Sequence, residues 1–370
     1  MPVASRRRVS ELLPEFPWDT IASAKAKAAA HPGGIVDLSV GTPVDPVDPL
    51  IRTALASVSE VPGYPTTHGT VELRTAAVEA MKRRFGLAGL DPSAVLPVIG
   101  TKELIAGLPQ LLGLGAQDLV VIPEVAYPTY EVGALLAGAE VLRADGLTRI
   151  GPRKPALIFL NSPSNPTGRV LGVEHLRKVV EFARARDVIV ASDECYLGLT
   201  WEGTAPSILD DAVSGGDHTN LLAVHSLSKT SNLASYRAGF VTGDPELVRE
   251  LLAVRKHAGM MVPLPIQAAM TAALGDDTHE ARQRERYRAR REVLRKALEQ
   301  AGFRVDDSVA GLYLWSTRGE PCRATLDWLA ERGILAAPGD FYGPSGVEHV
   351  RVALTATDER IAAAVERLRD

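Results

Sequence analysis

A lysine among serines is the first residue whose surroundings indicate chemistry. It occurs in SLSKTSNLASYRAG, residues 226–239, where Arg237 follows Lys229 by eight positions. A lysine amine held in a cavity can act as a nucleophile or carry protons, and an arginine near hydroxyl groups can bind an anion. Most lysines are exposed and inert, so the interpretation depends on the residues that accompany this one.

Three further stretches place polar residues at the ends of apolar segments or at a helix start. They are NSPSNPTG (161–168), SDECYLGL (192–199) and IGTKEL (99–104). Alone, the first is typical of a Pro/Asn turn, and Asp193 in the second could be a helix N-cap. A buried carboxylate seldom lacks a partner, however, and a helix N-terminus attracts phosphate. Each stretch is weak alone, and their joint occurrence indicates a functional site.

The elements that must position these residues alternate in the middle of the chain. Short β-branched runs at 118–122, 155–160, 188–193, 221–226 and 238–243 are separated by helical stretches, of which 173–186 has one apolar face. This pattern predicts an α/β fold with a mainly parallel sheet covered by helices on both faces. Ligands bind beyond the carboxyl ends of such strands, and the polar residues singled out above follow those ends.

The two ends of the chain predict a second, smaller α+β unit. A long charged helix over 279–302 is followed by short strands, a helix from Cys322 to Glu331 and a final helix from Asp358. The first forty residues, with a helix over 17–30 and the strand IVDLSV, are expected to pack against this part. We therefore predict a large domain over 45–275 and a small domain formed by 1–44 and 276–370.

Composition excludes several classes of protein. The 370 residues are 46% hydrophobic and 23% charged, with a formal charge of −4, which favours a soluble globular protein without a nucleic-acid or membrane partner. Arg and Glu interleave over 282–295, which predicts a solvated helix face. Cys195 and Cys322 cannot form a disulfide framework. The absence of a signal peptide and of a long apolar run predicts a cytoplasmic location.

Several common motifs are missing from the sequence. It contains no G-x-G-x-x-G after a strand, no P-loop and no G-x-S-x-G elbow. None of its eight histidines has a metal-ligand spacing such as H-E-x-x-H. We therefore predict neither a dinucleotide site nor a metal site.

Taken in order, NSPSNPTG, SDECY and SLSK with Arg237 resemble the class I/II aminotransferases, which are pyridoxal-phosphate enzymes of the aspartate aminotransferase fold (fold type I). The resemblance runs from LSVGTP to VRVAL. It implies pyridoxal 5′-phosphate as the cofactor and a large domain with a mainly parallel seven-stranded sheet. This cofactor supplies an electron sink, while the protein binds, orients and tunes it.

The resemblance also implies roles for individual residues. Lys229 would form the Schiff base and carry the proton, Asp193 would stabilise the protonated ring nitrogen, and Tyr127 would stack on the ring. Asn165 and Tyr196 would donate to the ring oxygen. The phosphate would be held by Gly100, Thr101, Lys102, Ser226, Ser228 and Arg237. Many relatives have glycine where this chain has Ser235, and we expect only a minor backbone adjustment there.

Three more residues are implied to act on the substrate or across a dimer. Arg351 in HVRVAL would bind the substrate carboxylate, although a surface arginine on a strand is the alternative. The backbone of Gly41 in VGTP would approach the same group. Tyr64 would reach the phosphate of the neighbouring subunit, which implies a homodimer with shared active sites.

A closer resemblance narrows the substrate. EFPWDT, VIGTKELIAGLPQLLGLG, RKHAGMMVP and APGDFYGPSG resemble the actinobacterial N-succinyldiaminopimelate aminotransferases. The resemblance implies a ping-pong exchange through pyridoxamine phosphate between glutamate and the N-succinyl substrate in lysine and diaminopimelate synthesis. The alternatives are another acidic or N-acyl amino acid such as aspartate or N-acetylornithine, a C–S lyase, and a non-catalytic binding domain. Candidates for the distal carboxylate are Lys102, His68, Arg255 and Lys256.

Overall fold

The computed structural model describes residues 8–369, so the first seven residues of the predicted small domain and Asp370 lie outside the described part. The strands are β1 (Val36–Asp37), β2 (Val95–Ile99), β3 (Leu119–Ile122), β4 (Glu140–Arg143), β5 (Leu157–Asn161), β6 (Ile189–Asp193), β7 (Leu221–Ser226), β8 (Ala238–Gly243), β9 (Arg304–Asp306), β10 (Tyr313–Thr317), β11 (Ile334–Leu335), β12 (Ala337–Pro338) and β13 (Val350–Ala353). The α-helices are α1 (Ala22–Ala29), α2 (Pro49–Ser57), α3 (Val71–Phe85), α4 (Thr101–Leu111), α5 (Thr129–Ala137), α6 (Leu147–Ile150), α7 (Val173–Arg186), α8 (Asp211–Ser214), α9 (Pro245–Ala258), α10 (Leu264–Gly275), α11 (Thr278–Gln300), α12 (Cys322–Glu331) and α13 (Asp358–Arg367).

A seven-stranded sheet forms the centre of the molecule, in the order β2-β8-β7-β6-β5-β3-β4. Strand β8 runs antiparallel to both of its neighbours, and the other pairs are parallel. This confirms the predicted mainly parallel α/β sheet. The sequence reading included β3, β5, β6, β7 and β8, and it missed β2 and β4 at the two edges.

Alternate residues of the central strands supply two separate cores. Val121, Ile158 and Val190 pack into one core, and Val120, Phe159 and Ala191 pack into the other. Because successive side chains of a strand point to opposite faces, a sheet covered on both sides needs apolar residues at every position. The near-continuous apolar runs in the sequence reflect this requirement.

Two helices that cover the sheet show how the sequence sets their packing and their start. Helix α7 buries Leu176, Val179, Val180 and Ala183, the apolar face that its sequence predicts. Asp244 after β8 accepts hydrogen bonds from two backbone N–H groups of α9 and so caps that helix.

A second, four-stranded antiparallel sheet has the order β12-β13-β10-β9, and β1 pairs with β11 beside it. Its core joins Leu314 and Val352 to Tyr287 of α11 and Ile361 of α13. The seven-stranded sheet lies within the predicted large domain and the remaining strands lie within the predicted small domain. The boundaries at 44/45 and 275/276 stay a prediction.

The arginines of α11 correct one expectation. Arg290 and Arg291 are buried rather than solvated. The Arg290 guanidinium binds both carboxylate oxygens of Asp45, at 2.7 and 2.8 Å, and Asp358 at 2.7 Å. A sequence in which Arg and Glu alternate does not show whether an arginine pairs within its own helix or with a distant segment. The burial of Arg290 and Arg291 could therefore not be predicted from this pattern. Between Arg8 and Arg369, the structure has no helix with the combined length and apolar character of a membrane span.

Candidate active site

Most of the residues singled out from the sequence line one cavity of about 660 Å³. It opens beyond the carboxyl ends of β6 and β7, between the two sheets. The predicted residues in its wall are Gly41, Thr101, Lys102, Tyr127, Asn165, Asp193, Tyr196, Ser226, Ser228, Lys229, Arg237 and Arg351. Gly100 adjoins Thr101 at the same wall, while Tyr64 does not line the cavity.

One end of the cavity is a cup of hydrogen-bond donors. Gly100 precedes the N-terminus of α4 with φ +76°, and a Cβ atom there would lie 2.2 Å from the Arg237 guanidinium. Only glycine fits this conformation and this contact. Arg237 donates to the Ala234 carbonyl at 2.9 Å, and the Ser226 hydroxyl accepts from the Ser228 N–H at 3.1 Å. A helix N-terminus, two hydroxyls and a guanidinium together suit a phosphate.

Ser235, the departure from the family pattern, also lines the cavity. Its backbone is not among those with positive φ, so the position does not require glycine for conformational reasons. Arg237, two positions further on, does adopt a positive φ, of +56°. The backbone at position 235 is therefore compatible with serine, which is consistent with the expected minor adjustment there.

Asp193 lines the same cavity, at the last position of β6. Its Oδ2 accepts from the Tyr130 hydroxyl at 2.7 Å, and its Oδ1 accepts from the Cys195 N–H at 3.2 Å. Burial raises the pKa of this carboxyl above its ordinary value, although both hydrogen bonds lower it. Among residues 8–369 no Lys, Arg or His side chain forms an ion pair with it. A buried carboxylate in this state suits a cationic ligand group.

Tyr130 is a site residue that the sequence reading missed. It is fully buried, stacked on Phe159 at 5.0 Å, and its hydroxyl orients the Asp193 carboxylate. The sequence does contain a signal for this residue, because Tyr130 lies three positions after Tyr127 in the stretch AYPTY. The Tyr127 ring lines the cavity edge-on to Tyr130, and burial raises its pKa to about 12.

Lys229 lines the cavity from the turn that follows β7. Its Nζ donates to the Gly41 carbonyl. Burial lowers the pKa of the amine below its ordinary value, and the nearby charges of Arg351 and Arg237 lower it further. The neutral amine, which is the nucleophilic form, is therefore more accessible than on a surface lysine.

Arg351 on β13 reaches across from the four-stranded sheet. It is buried, which excludes the alternative of a surface arginine. Nη1 donates to Asn165 Oδ1 at 2.8 Å and Nη2 to the Ser39 carbonyl at 2.6 Å, while its Nε is buried without a partner among the described residues. A guanidinium with donors to spare in a cavity suits a carboxylate ligand.

Asn165 and Tyr196 complete the wall between these groups. Arginine only donates, so the Asn165 side chain presents Oδ1 to Arg351 and keeps its amide N–H groups for another acceptor. The Tyr196 hydroxyl lies 3.2 Å from the Tyr313 hydroxyl. Both side chains can donate to one acceptor bound in the cavity.

Tyr313 on β10 was also missed by the sequence reading. Its ring lies under the Arg351 guanidinium, 3.9 Å from ring centre to carbon, and its hydroxyl would lie 2.1 Å from a Cβ atom at Gly41. Burial alone raises its pKa, but the positive charges of Arg351 and Lys229 outweigh burial, so the pKa falls below its ordinary value. By contrast, burial and Tyr313 raise the pKa of Tyr196.

The remaining predicted residues lie elsewhere. Arg255 is fully buried and forms two hydrogen bonds to Glu103, at 3.0 and 3.1 Å, so its proposed place at the cavity mouth is wrong. His68 contacts the Ser93 carbonyl, and Lys256 is exposed on α9. Tyr64 is 96% exposed. Residues 8–369 contain no cluster of three or more His, Cys, Asp or Glu side chains suited to a metal.

The fold and the cavity are those of a pyridoxal-phosphate enzyme of fold type I, because hydroxyls and an arginine at a helix N-terminus, a buried amine and a buried carboxylate line one cavity at the strand ends. The chain belongs to the aminotransferase class I and II family, whose sequence model matches residues 34–368. Pyridoxal 5′-phosphate is therefore its cofactor.

Particular relatives agree with this assignment. The chain is 70% identical over 364 residues to a probable aminotransferase of Mycobacterium tuberculosis, covering 98% of this chain and 87% of the relative. It is 56% identical over 356 residues to 4-dedimethylamino-4-oxo-anhydrotetracycline transaminase OxyQ of Streptomyces rimosus, covering 96% and 99%. The solved structure of a probable N-succinyldiaminopimelate aminotransferase from Thermus thermophilus superposes with a TM-score of 0.86 at 30% identity, covering 96% and 99%.

We expect Tyr313→Phe to raise the pKa of the lysine-bound cofactor. The Tyr313 and Tyr196 hydroxyls lie 3.2 Å apart, and we propose that this contact orients Tyr196 and strengthens its donation to the ring oxygen. Because a hydrogen bond is worth about 1 kcal/mol and one pKa unit about 1.4 kcal/mol, the increase should be up to about one unit. The measurement is an absorbance titration of the purified holoenzyme.

Tyr342→Phe is the matched control. The Tyr342 ring also lies near Arg351, at 5.2 Å, but its hydroxyl is buried without a partner among the described residues. Its loss should leave the titration unchanged. Equal shifts in both variants would show that the two hydroxyls act only through packing.

Proposed function

We propose that this aminotransferase transfers an amino group from glutamate to N-succinyl-2-amino-6-oxopimelate, giving N-succinyl-LL-2,6-diaminopimelate and 2-oxoglutarate. This places the enzyme in lysine and diaminopimelate synthesis. The observation that carries the proposal is the likeness to the Thermus thermophilus structure, which is described as a probable N-succinyldiaminopimelate aminotransferase. The stretches EFPWDT and APGDFYGPSG support the same substrate class.

The arrangement of the site supports amino-group transfer in two half-reactions. When bound, pyridoxal phosphate supplies an aldehyde that takes up the amino group and a ring that accepts electrons from Cα. Arg351 binds the α-carboxylate and orients the substrate. Lys229 removes the proton from Cα and returns it at the cofactor carbon, as base and then as acid. Asp193 holds a positive charge at the ring nitrogen, and Asn165 and Tyr196 donate to the ring oxygen.

We further propose that the enzyme acts as a homodimer. Tyr64 is exposed and does not line its own cavity, and the nearby Val61 and Val71 are also more than half exposed. Exposed apolar side chains in one region favour an interface. In the dimer, Tyr64 would donate to the phosphate held by the partner subunit. The cytoplasmic location stays a prediction.

We expect Tyr64→Phe and Lys229→Ala to complement each other when the two chains are mixed. Each variant alone has two impaired sites. A mixed dimer combines an intact lysine from one chain with an intact tyrosine from the other, so one of its two sites is fully native. Refolding an equal mixture should therefore give a specific activity well above that of either parent, and roughly a quarter of native if chains pair at random.

Mixing Lys229→Ala with Asp193→Asn is the control, because both residues belong to the same chain's cavity. That mixture forms no native site, because each cavity of its mixed dimer lacks either the lysine or the aspartate, so it should recover no activity even when chains exchange. If the Tyr64→Phe mixture also recovers no activity although mixed dimers are present, Tyr64 belongs to its own chain's site, which contradicts the shared arrangement.

The substrate proposal is tested by a transamination assay on the reconstituted holoenzyme. N-succinyl-LL-diaminopimelate, N-acetylornithine and aspartate are each offered with 2-oxoglutarate, and glutamate formation is measured. A strong preference for the succinylated amine is the expected result. A preference for another amine would retain the mechanism and refute the substrate. Pyruvate release from a cysteine S-conjugate, without an oxo-acid acceptor, would indicate a lyase.

A second candidate is amino transfer to a ring ketone, favoured by the 56% identity to OxyQ. The same assay separates the two candidates when 4-dedimethylamino-4-oxo-anhydrotetracycline is offered with glutamate and 2-oxoglutarate is measured.

A further inference from the structure

A second cavity, of about 650 Å³, adjoins the active site on the side of the N-terminal segment. It lies between residues 13–20, helices α4 and α5, and Phe341. The two cavities share four wall residues, namely Phe16, Trp18, Lys102 and Tyr127. A substrate whose α-carboxylate is bound by Arg351 can therefore extend past these residues into the second cavity.

The walls of this side cavity are mostly apolar and aromatic. The Trp18 ring contacts the Phe16 ring at 5.6 Å and the Phe341 ring at 5.4 Å, which forms a continuous aromatic row. A flat or methylene-rich group that lies along such a row buries apolar surface.

The two arginines in the wall of the side cavity are each paired with a carboxylate. Arg143 binds Glu131 at 2.7 Å, and Arg323 binds Asp340 at 2.7 and 3.1 Å. Because these cations are already paired, this part of the wall offers no strong attraction to a free carboxylate.

The neck between the two cavities carries two donors that have no protein acceptor among residues 8–369. Lys102 is exposed, its ammonium lies 5.8 Å from the centre of the Phe16 ring, and it forms no ion pair within that range. The indole N–H of Trp18 is buried without an acceptor among the same residues. A buried donor left without a partner costs about 1–3 kcal/mol, so the neck suits a ligand that brings carbonyl or carboxylate oxygens.

We propose that the side cavity is the binding site for the distal acyl arm of the substrate. The arm's amide carbonyl or carboxylate accepts hydrogen bonds from Lys102 and Trp18 at the neck, and its methylene groups lie along the aromatic row. This inference rests on the proposed function and extends it: the enzyme selects acylated amino acids by a cavity that unacylated donors do not enter.

The test fills the side cavity without entering the active site. Ala106 of α4 lines only the side cavity. In the holoenzyme, Ala106→Phe should lower kcat/KM for N-succinyl-LL-diaminopimelate by roughly tenfold or more, since single groups in a pocket discriminate by about 10–200-fold. The kcat/KM for glutamate, measured as its own half-reaction, should change by less than about twofold because glutamate lacks the arm.

A second variant and a control guard against misfolding. Val132→Phe fills the same cavity from α5 and should have the same selective effect. Ala185→Phe adds the same side chain at an exposed position of α7, and it should alter neither substrate. Thermal unfolding of each variant identifies any that fails to fold.

The outcomes separate the two proposals. Selective loss of the succinylated substrate in both filled variants supports the side cavity as the acyl site. Equal loss for glutamate and the succinylated substrate, or no loss for either, overturns the acyl site and leaves the proposed function standing. If the unaltered enzyme reacts with glutamate but not with the succinylated amine, the proposed function fails and the acyl site fails with it.

Discussion

Lys229→Ala should lower the transamination rate by roughly 10²- to 10⁴-fold, because the variant lacks both the amine that binds the cofactor and the group that moves the Cα proton. The cofactor would then be held only by non-covalent contacts. Two measurements check this: the rate itself, and borohydride reduction followed by mass spectrometry of the peptide that contains residue 229. The native enzyme should retain the reduced cofactor on that peptide, and the variant should not.

Lys102→Ala is the matched control for covalent attachment. Lys102 is a lysine in the same cavity wall, yet its ammonium lies over the Phe16 ring at the neck. This variant should retain the cofactor on Lys229 after reduction. A label that persists in Lys229→Ala and disappears in Lys102→Ala would overturn the assignment of the reactive lysine.

Asp193→Asn should reduce kcat by roughly 10²- to 10⁴-fold, since removing one partner of a buried ion pair costs about 3–5 kcal/mol and each 1.4 kcal/mol is about tenfold in rate. The amide has the size of the carboxylate but no charge, so the ring nitrogen loses the anion that keeps it protonated. The pKa of the ring nitrogen falls for that reason. Because a lower pH restores its proton, the remaining activity of the variant should rise as the pH is lowered. The measurement is kcat against pH for both proteins.

Tyr130→Phe tests whether the orientation of Asp193 matters separately from its charge. This change removes the 2.7 Å hydrogen bond and leaves the carboxylate in place. A hydrogen bond to a charged group is worth about 1.5–3 kcal/mol, so the loss of kcat should stay within roughly 10²-fold. A larger loss for Tyr130→Phe than for Asp193→Asn would mean that charge at the ring nitrogen is not what Asp193 provides.

The central sheet was predictable because its strands are buried on both faces. Strands β5 to β7 read as near-continuous apolar runs, and β6 and β7 end at Asp193 and Ser226, which line the cavity. The edge strand β4 carries a weaker signal, because it is only partly buried and begins with a glutamate. Its position depends on pairing with β3, which no local pattern encodes.

The site was predictable only where a side chain belongs to a recognisable stretch. Tyr313 contacts Tyr196, which is distant in the sequence, and nothing in its own stretch marks it. Tyr130 was marked only by its place beside Tyr127, because its partner Asp193 is also distant in the sequence. Arg255 was wrongly offered as a residue of the cavity mouth. It lies on a charged helix, which is typical of an exposed side chain, whereas in the structure it is buried and bound to Glu103. The side cavity likewise depends on how the N-terminal segment folds back over α4.

Arg351 joins three parts of the chain that are far apart in sequence. It belongs to β13, donates to Asn165 in the loop after β5, and donates to the carbonyl of Ser39 just before the cavity wall at Gly41. A substrate carboxylate that accepts from the remaining N–H groups of Arg351 adds a further contact at this junction. Ligand binding is thereby coupled to the anchoring of the N-terminal segment, so a bound dicarboxylate should shield the peptide bonds around residues 13–44 from proteases.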